Sequence, residues 1–176
     1  MESAGDTAQS DHTIAVLAAA ALFLASIELA IPKPLPFLKL GLANLPILIA
    51  LRVLSPRQLL VLVVLKILGQ GMVHGTLFSY IILFSAAGSI ASAATMWTVD
   101  RLSAGLMSLV GIAVVGALAS NMAQLLAARW LIFGQSAWLI APAFLIAGTV
   151  SAVLLGLFAE RFVRQSLWVR ALQAAS

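Results

Sequence analysis

The sequence lacks cysteine entirely and contains little charge. Its 176 residues include ten lysines and arginines and six acidic residues, so that 9% of the chain is charged and 62% is hydrophobic. Without cysteine the chain cannot form disulfides, thiolate metal sites or a cysteine nucleophile. Soluble domains carry about 25% charged residues. So little charge cannot cover a surface that faces water, and the outer surface must therefore face lipid tails.

The scarcity of acidic residues also argues against catalysis. Chemistry on a diphosphate needs clustered carboxylates that hold magnesium ions, and no two acidic residues of this chain lie on one helix face within reach of each other. The only histidines are His12 and His74, which predicts no metal site. His74 and Asp100 are expected on opposite sides of the membrane, too far apart for a Ser-His-Asp set. We therefore expect no enzyme and no cofactor.

Long apolar segments make up most of the chain. A spanning helix takes about 20 residues, so the length accommodates about six of them. Proline, glycine and charged residues place the spans at 13–31, 40–54, 56–73, 77–99, 105–133 and 137–159. This pattern predicts an all-α membrane protein, with a polar N-terminal tail (1–12), a six-helix transmembrane domain (13–160) and a basic C-terminal segment (161–176). The tail lacks the basic region of a cleaved signal peptide, so we expect the first span to be retained.

The basic residues fall mostly at the ends of the predicted spans, where they indicate topology and not nucleic-acid binding. Short cytoplasmic loops carry an excess of lysine and arginine. Lys33 and Lys39 fall on one side, and the terminal side carries Arg52, Arg57, Arg101, Arg161, Arg164 and Arg170. We therefore expect a multi-pass protein of the cell (inner) membrane with both termini cytoplasmic and the lipid bilayer as its surroundings.

Several polar side chains fall inside the spans, in the half that is predicted to face outward. An ionisable residue there costs at least about 2.5 kcal/mol and needs a partner or a watery cavity. Lys66 and Gln70 share a helix face, as do Asn121 and Gln124. We predict an outward-facing pocket for a small, anionic or amphipathic solute, formed by Glu28, Lys39, Asn44, Lys66, Gln70, His74, Asn121, Gln124 and Arg129.

Other interpretations of these residues remain open. Glu28 and Lys66 could pair with each other and simply hold the bundle together. Arg129 could extend to the outer headgroups beside Trp130. His74, between glycines, could be a loop residue at the membrane interface.

Small residues form a second pattern, concentrated in the first span. Ala21 and Ala25 have the small-xxx-small spacing that allows another helix to approach closely. We predict that this pair docks a partner subunit. The similar pairs Ser85 with Ser89 and Gly88 with Ser92, and the small residues from Gly148 onward, are interpreted as packing within the bundle.

Four segments carry a resemblance to a known family: KLGLAN (39–44), GTLFS (75–79), SAAGSIAS (85–92) and SNMAQLL (120–126). They resemble the Gx transporter family, also called heptaprenyl diphosphate synthase component I, which is similar to the substrate-binding S components of energy-coupling factor (ECF) transporters. Ser120-Asn121 and Ala123-Gln124 depart from the His-Asn and Gly-Gln pairs of that family.

The resemblance implies a six-helix fold like that of S components, with the solute captured near the outer face. It also implies that the first helix docks a coupling-factor transmembrane subunit. The chain has no GxxxxGK[ST] pattern, so any ATP energy must come from separate ATPase subunits. The alternative is an accessory membrane subunit in polyprenyl diphosphate or isoprenoid lipid metabolism.

Overall fold

The computed structural model describes residues 4–31 and 41–175, and the side chains of residues 9–31 and 41–172. Within these residues the chain is helical and contains no strand. The α-helices are α1 (Ala4–Ala30), α2 (Leu45–Ala50), α3 (Pro56–Val73), α4 (Ile81–Leu102), α5 (Leu109–Ala128), α6 (Ala137–Gln165) and α7 (Leu167–Ala175). A 3-10 turn, Leu42–Asn44, precedes α2, and a π-helical turn, Arg129–Phe133, follows α5.

The long helices are apolar enough to cross a membrane. Three candidate spans are Gln9–Ala30, Pro56–Val73 and Ile81–Leu102, and a fourth stretch, Leu109–Gln165, contains both α5 and α6. α5 and α6 fold back on each other, because Gly148 contacts Asn121 and Gly156 contacts Val110. The prediction of an all-α, multi-pass membrane bundle is confirmed.

Contacts between side chains give the relative directions of the helices. α1 and α3 run parallel, because Leu22 contacts Gly69 and Ala25 lies beside His74. α4 runs antiparallel to α3, because Gly71 lies beside Ile82 and Lys66 donates a hydrogen bond to Ser89. α5 in turn runs antiparallel to α4, because Gly88 lies beside Gln124 and Gly116 lies beside Met96. The carboxyl ends of α1, α3 and α5 therefore lie at the same end of the bundle as the amino end of α4.

The second predicted span, 40–54, differs most from expectation. Its described part is the 3-10 turn and the six-residue helix α2, all of whose residues are buried. Gly41 adopts a positive φ of 81° and Pro46 occupies the first turn of α2, so the helix begins late. α2 contacts α1, α3, α5 and α6. It is a helix enclosed by protein, and not a lipid-facing span.

The two ends of the chain are more helical than predicted. α1 begins at Ala4, within the predicted polar tail, and α6 continues to Gln165. Val169 and Leu172 of α7 are buried, and Val169 belongs to the main hydrophobic core. The basic C-terminal segment therefore packs its apolar face against the bundle.

Candidate functional site

A polar cavity lies inside the bundle, at the end where α1, α3 and α5 terminate. Its volume is about 30 Å³. The lining comes from five helices and the turn before α2: Glu28, Gly41, Ala43, Asn44, Lys66, Gln70, Ser85, Ser89, Ala117, Ser120, Asn121, Gln124 and Gly148. Most of the strongly polar residues predicted to form a pocket are therefore brought together.

Two buried ionisable residues line this cavity. Lys66 is 3% exposed, and its Nζ donates to Asn44 Oδ1 and, over 3.1 Å, to Ser89 Oγ. Glu28 is also 3% exposed, and its Oε2 accepts from the backbone N–H of Leu42 at 3.0 Å. Hydrogen bonds of this kind are what allow a charge to remain in an apolar interior. Glu28 also connects the end of α1 to the turn that leads into α2.

The amides of α5 form another wall of the cavity. Asn121 Nδ2 donates to the backbone carbonyl of Phe144 on α6 over 3.3 Å, and Gln124 Nε2 donates to Ser120 Oγ over 3.0 Å. Glycines make room for both side chains. A Cβ atom at Gly148 would overlap Asn121, and one at Gly88 would overlap Gln124. These two glycines therefore serve the site, although the sequence indicated only packing.

Two buried acceptors in the cavity have no hydrogen-bond partner among the described residues. They are Oε1 of Gln70 and Oε1 of Gln124, and both side chains are 4% exposed. Leaving a buried acceptor unsatisfied costs about 1 to 3 kcal/mol. Such groups call for a bound water or a ligand.

Two predicted residues lie outside the cavity lining, and a third is not among the described residues. His74 is half-buried after α3, and its Nε2 is 3.4 Å from the carbonyl oxygen of Ala25, outside the cavity lining. Arg129 also lies outside the lining, because α5 ends at Ala128 and the following turn directs the guanidinium over the ring of Trp138, 5.8 Å from its centroid. Lys39 lies outside the described residues.

The docking prediction for Ala21 and Ala25 is wrong in its placement. Both side chains have no exposed surface, so another subunit cannot reach them. They lie on the part of α1 that packs beside α3, near the Leu22–Gly69 contact. The small side chains allow close approach of helices within the protein. Ala15 and Ala19 of the same helix are exposed.

Sequence reasoning missed the serines of the cavity as functional residues. Ser85, Ser89 and Ser120 all line it, and Ser89 accepts a hydrogen bond from Lys66. Ser85, Ser89 and Ser92 recur on one face of α4 and are all buried. A buried polar face opposite a buried lysine was the available signal, but the same spacing also suits close helix packing.

Comparison with known proteins gives one family. Residues 17–162 match the family model described as heptaprenyl diphosphate synthase component I. The matched region extends from within α1 to near the end of α6, and every residue lining the cavity falls inside it. Searches of curated proteins and of solved structures gave no match. Since the match covers most of the chain, the protein belongs to the heptaprenyl diphosphate synthase component I family.

Proposed function

We propose that the chain is the membrane-embedded, substrate-binding subunit of a transporter for a small polar solute, similar to an ECF S component. One observation carries this proposal: polar side chains from four helices and from the turn before α2 converge on one cavity in a largely apolar bundle. Polar groups inside a membrane are expensive and commonly mark a substrate path. The chain is not itself an enzyme under this proposal, and separate coupling and ATPase subunits supply the energy.

The position of the cavity supports binding from outside the cell. The cavity lies at one end of the bundle. At the other end Arg52 forms a salt bridge with Asp100, and the guanidinium of Arg101 lies over the ring of Trp97. Arginine-rich loops favour the cytoplasmic side. Under this proposal the protein lies in the cell membrane with cytoplasmic termini, and its cavity receives solute from the outer face.

The binding role is tested by Lys66→Met, which keeps most of the apolar stem and removes the ammonium group. Mass spectrometry of the purified, mildly solubilised protein identifies the small molecules that it releases. We expect the released amount to fall at least about tenfold, which corresponds to about 1.4 kcal/mol of binding free energy. Arg57→Met is the control, since Arg57 is an exposed basic residue of the same helix. Equal release from folded Lys66→Met protein would show that Lys66 only holds helices together.

The topology can be tested with single cysteines because the chain has none of its own. Ser136→Cys, exposed between α5 and α6, should react with an impermeant maleimide in intact cells. Ser3→Cys should react only after the cells are permeabilised. Labelling of Ser3→Cys in intact cells would reverse the orientation and place the cavity on the cytoplasmic side.

The second candidate is an accessory membrane subunit in polyprenyl diphosphate or isoprenoid lipid metabolism. The description of the family favours it, as does an apolar groove of about 260 Å³ between α3 and α4, lined mainly by Leu59, Leu60, Val63, Ile90, Ala93 and Trp97. Such a groove suits a hydrocarbon chain. This function would be favoured if the protein binds prenyl diphosphate and Val63→Trp abolishes that binding. The release of polar solute should then be unchanged in Val63→Trp.

A further inference from the structure

We infer that the occupant of the cavity is a small neutral or zwitterionic molecule with at least two N–H or O–H donors, held between Gln70 and Gln124. The inference rests on the proposed binding function and narrows its solute class. It replaces the simple anion that a buried lysine suggests, because the two buried polar atoms of the lining without a hydrogen-bond partner among the described residues are both acceptors.

The positive charge of the cavity is already engaged by the protein. Lys66 Nζ has three N–H donors, and it donates to Asn44 Oδ1 and to Ser89 Oγ. These acceptors come from the turn before α2 and from α4, so the ammonium group bridges two segments of the chain. An anion would have to compete with both of them.

The two residues that carry these oxygens line the cavity from two different helices. Gln70 lies on α3, one turn beyond Lys66, and Gln124 lies on α5. Their Oε1 atoms are buried and have no donor among the described residues. Ser120 Oγ engages the Nε2 end of Gln124, which leaves the oxygen end for another group. A molecule between these helices satisfies both oxygens only if it donates to each.

The two amide oxygens decide which ligands fit. A ligand without donors, such as a carboxylate or phosphate anion, leaves Oε1 of Gln70 and Oε1 of Gln124 unsatisfied. A donor-rich ligand gains a hydrogen bond at each of them.

The test compares Gln70→Met and Gln124→Met with the exposed control Gln135→Met. Methionine nearly preserves length and removes the unsatisfied oxygen, so we expect each ligand-free variant to melt about 2 to 4 °C higher than the unaltered protein. The binding probe is the pool of small molecules that the purified protein releases on denaturation. We expect a released compound with two or more donors, at least about tenfold depleted in both variants and retained by Gln135→Met.

The outcomes separate the inference from the proposed function. Unchanged or lower melting temperatures would show that the two oxygens are already satisfied, for example by water, and would overturn the inference. So would a released compound without N–H or O–H groups, although the binding function would then stand. If the unaltered protein releases no compound at all, the binding function fails, and the inference fails with it.

Discussion

Gly148→Ala should unfold the protein more easily and disorganise the cavity at the same time. The new methyl group would overlap Asn121 Nδ2, so Asn121 must leave its place and give up its hydrogen bond to the Phe144 carbonyl. Overpacking of this kind costs about 1 to 3 kcal/mol. Melting of the detergent-solubilised protein measures the loss of stability, and release of bound small molecules should fall at least about tenfold.

A double-mutant cycle identifies the cause. If the damage comes from collision with Asn121, Gly148→Ala should cost little in a protein that already carries Asn121→Ala, because shared contacts make effects non-additive. Gly111→Ala on α5 is the control, since the new methyl group would meet only the flexible side chain of Met107, 3.1 Å away. Additive costs for Gly148→Ala and Asn121→Ala would contradict this account.

Ala21→Leu should destabilise the bundle itself, by about 1 to 3 kcal/mol or more. Ala21 has no exposed surface, so the larger side chain must push α1 away from its neighbours. Thermal melting and the yield of folded protein measure this effect. Ala19→Leu is the matched control on the exposed side of the same helix, and it should leave melting unchanged.

The same pair of variants separates internal packing from partner docking. Folded Ala21→Leu protein that fails only to assemble with other subunits would contradict the internal placement. If a coupling subunit docks on α1, the exposed residues Ala15 and Ala19 are the small residues that it can reach. Ala19→Leu would then reduce assembly without affecting melting.

The helical part of the fold could be predicted because lipid imposes simple rules. Long apolar segments bounded by Pro56 or by Arg101 can only be helices in a membrane, and the structure contains them. α2 could not be predicted in the same way, since an apolar segment that is buried in protein has the same composition as one that faces lipid. Arg129 was misplaced because the turn after Ala128 depends on π-helical geometry that residue spacing does not encode.

The site could be predicted in its polar residues and not in the residues that support them. Lys66, Gln70, Asn121 and Gln124 are conspicuous because polar groups are costly in lipid. Gly88 and Gly148 are not conspicuous in the sequence. A glycine that makes room for an amide side chain cannot be told by sequence from one that lets two helices touch. Only the three-dimensional contact with Gln124 or Asn121 distinguishes the two roles.

The short helix α2 has a consequence for how the protein is made. Six residues extend about 9 Å, far less than the thickness of a bilayer. The backbone groups at the ends of so short a helix cannot be left in contact with lipid tails. We therefore expect that during biosynthesis the segment reaches its final place only after α3, α5 and α6 are present to enclose it. Chains arrested before α6 emerges should hold this segment at the membrane surface.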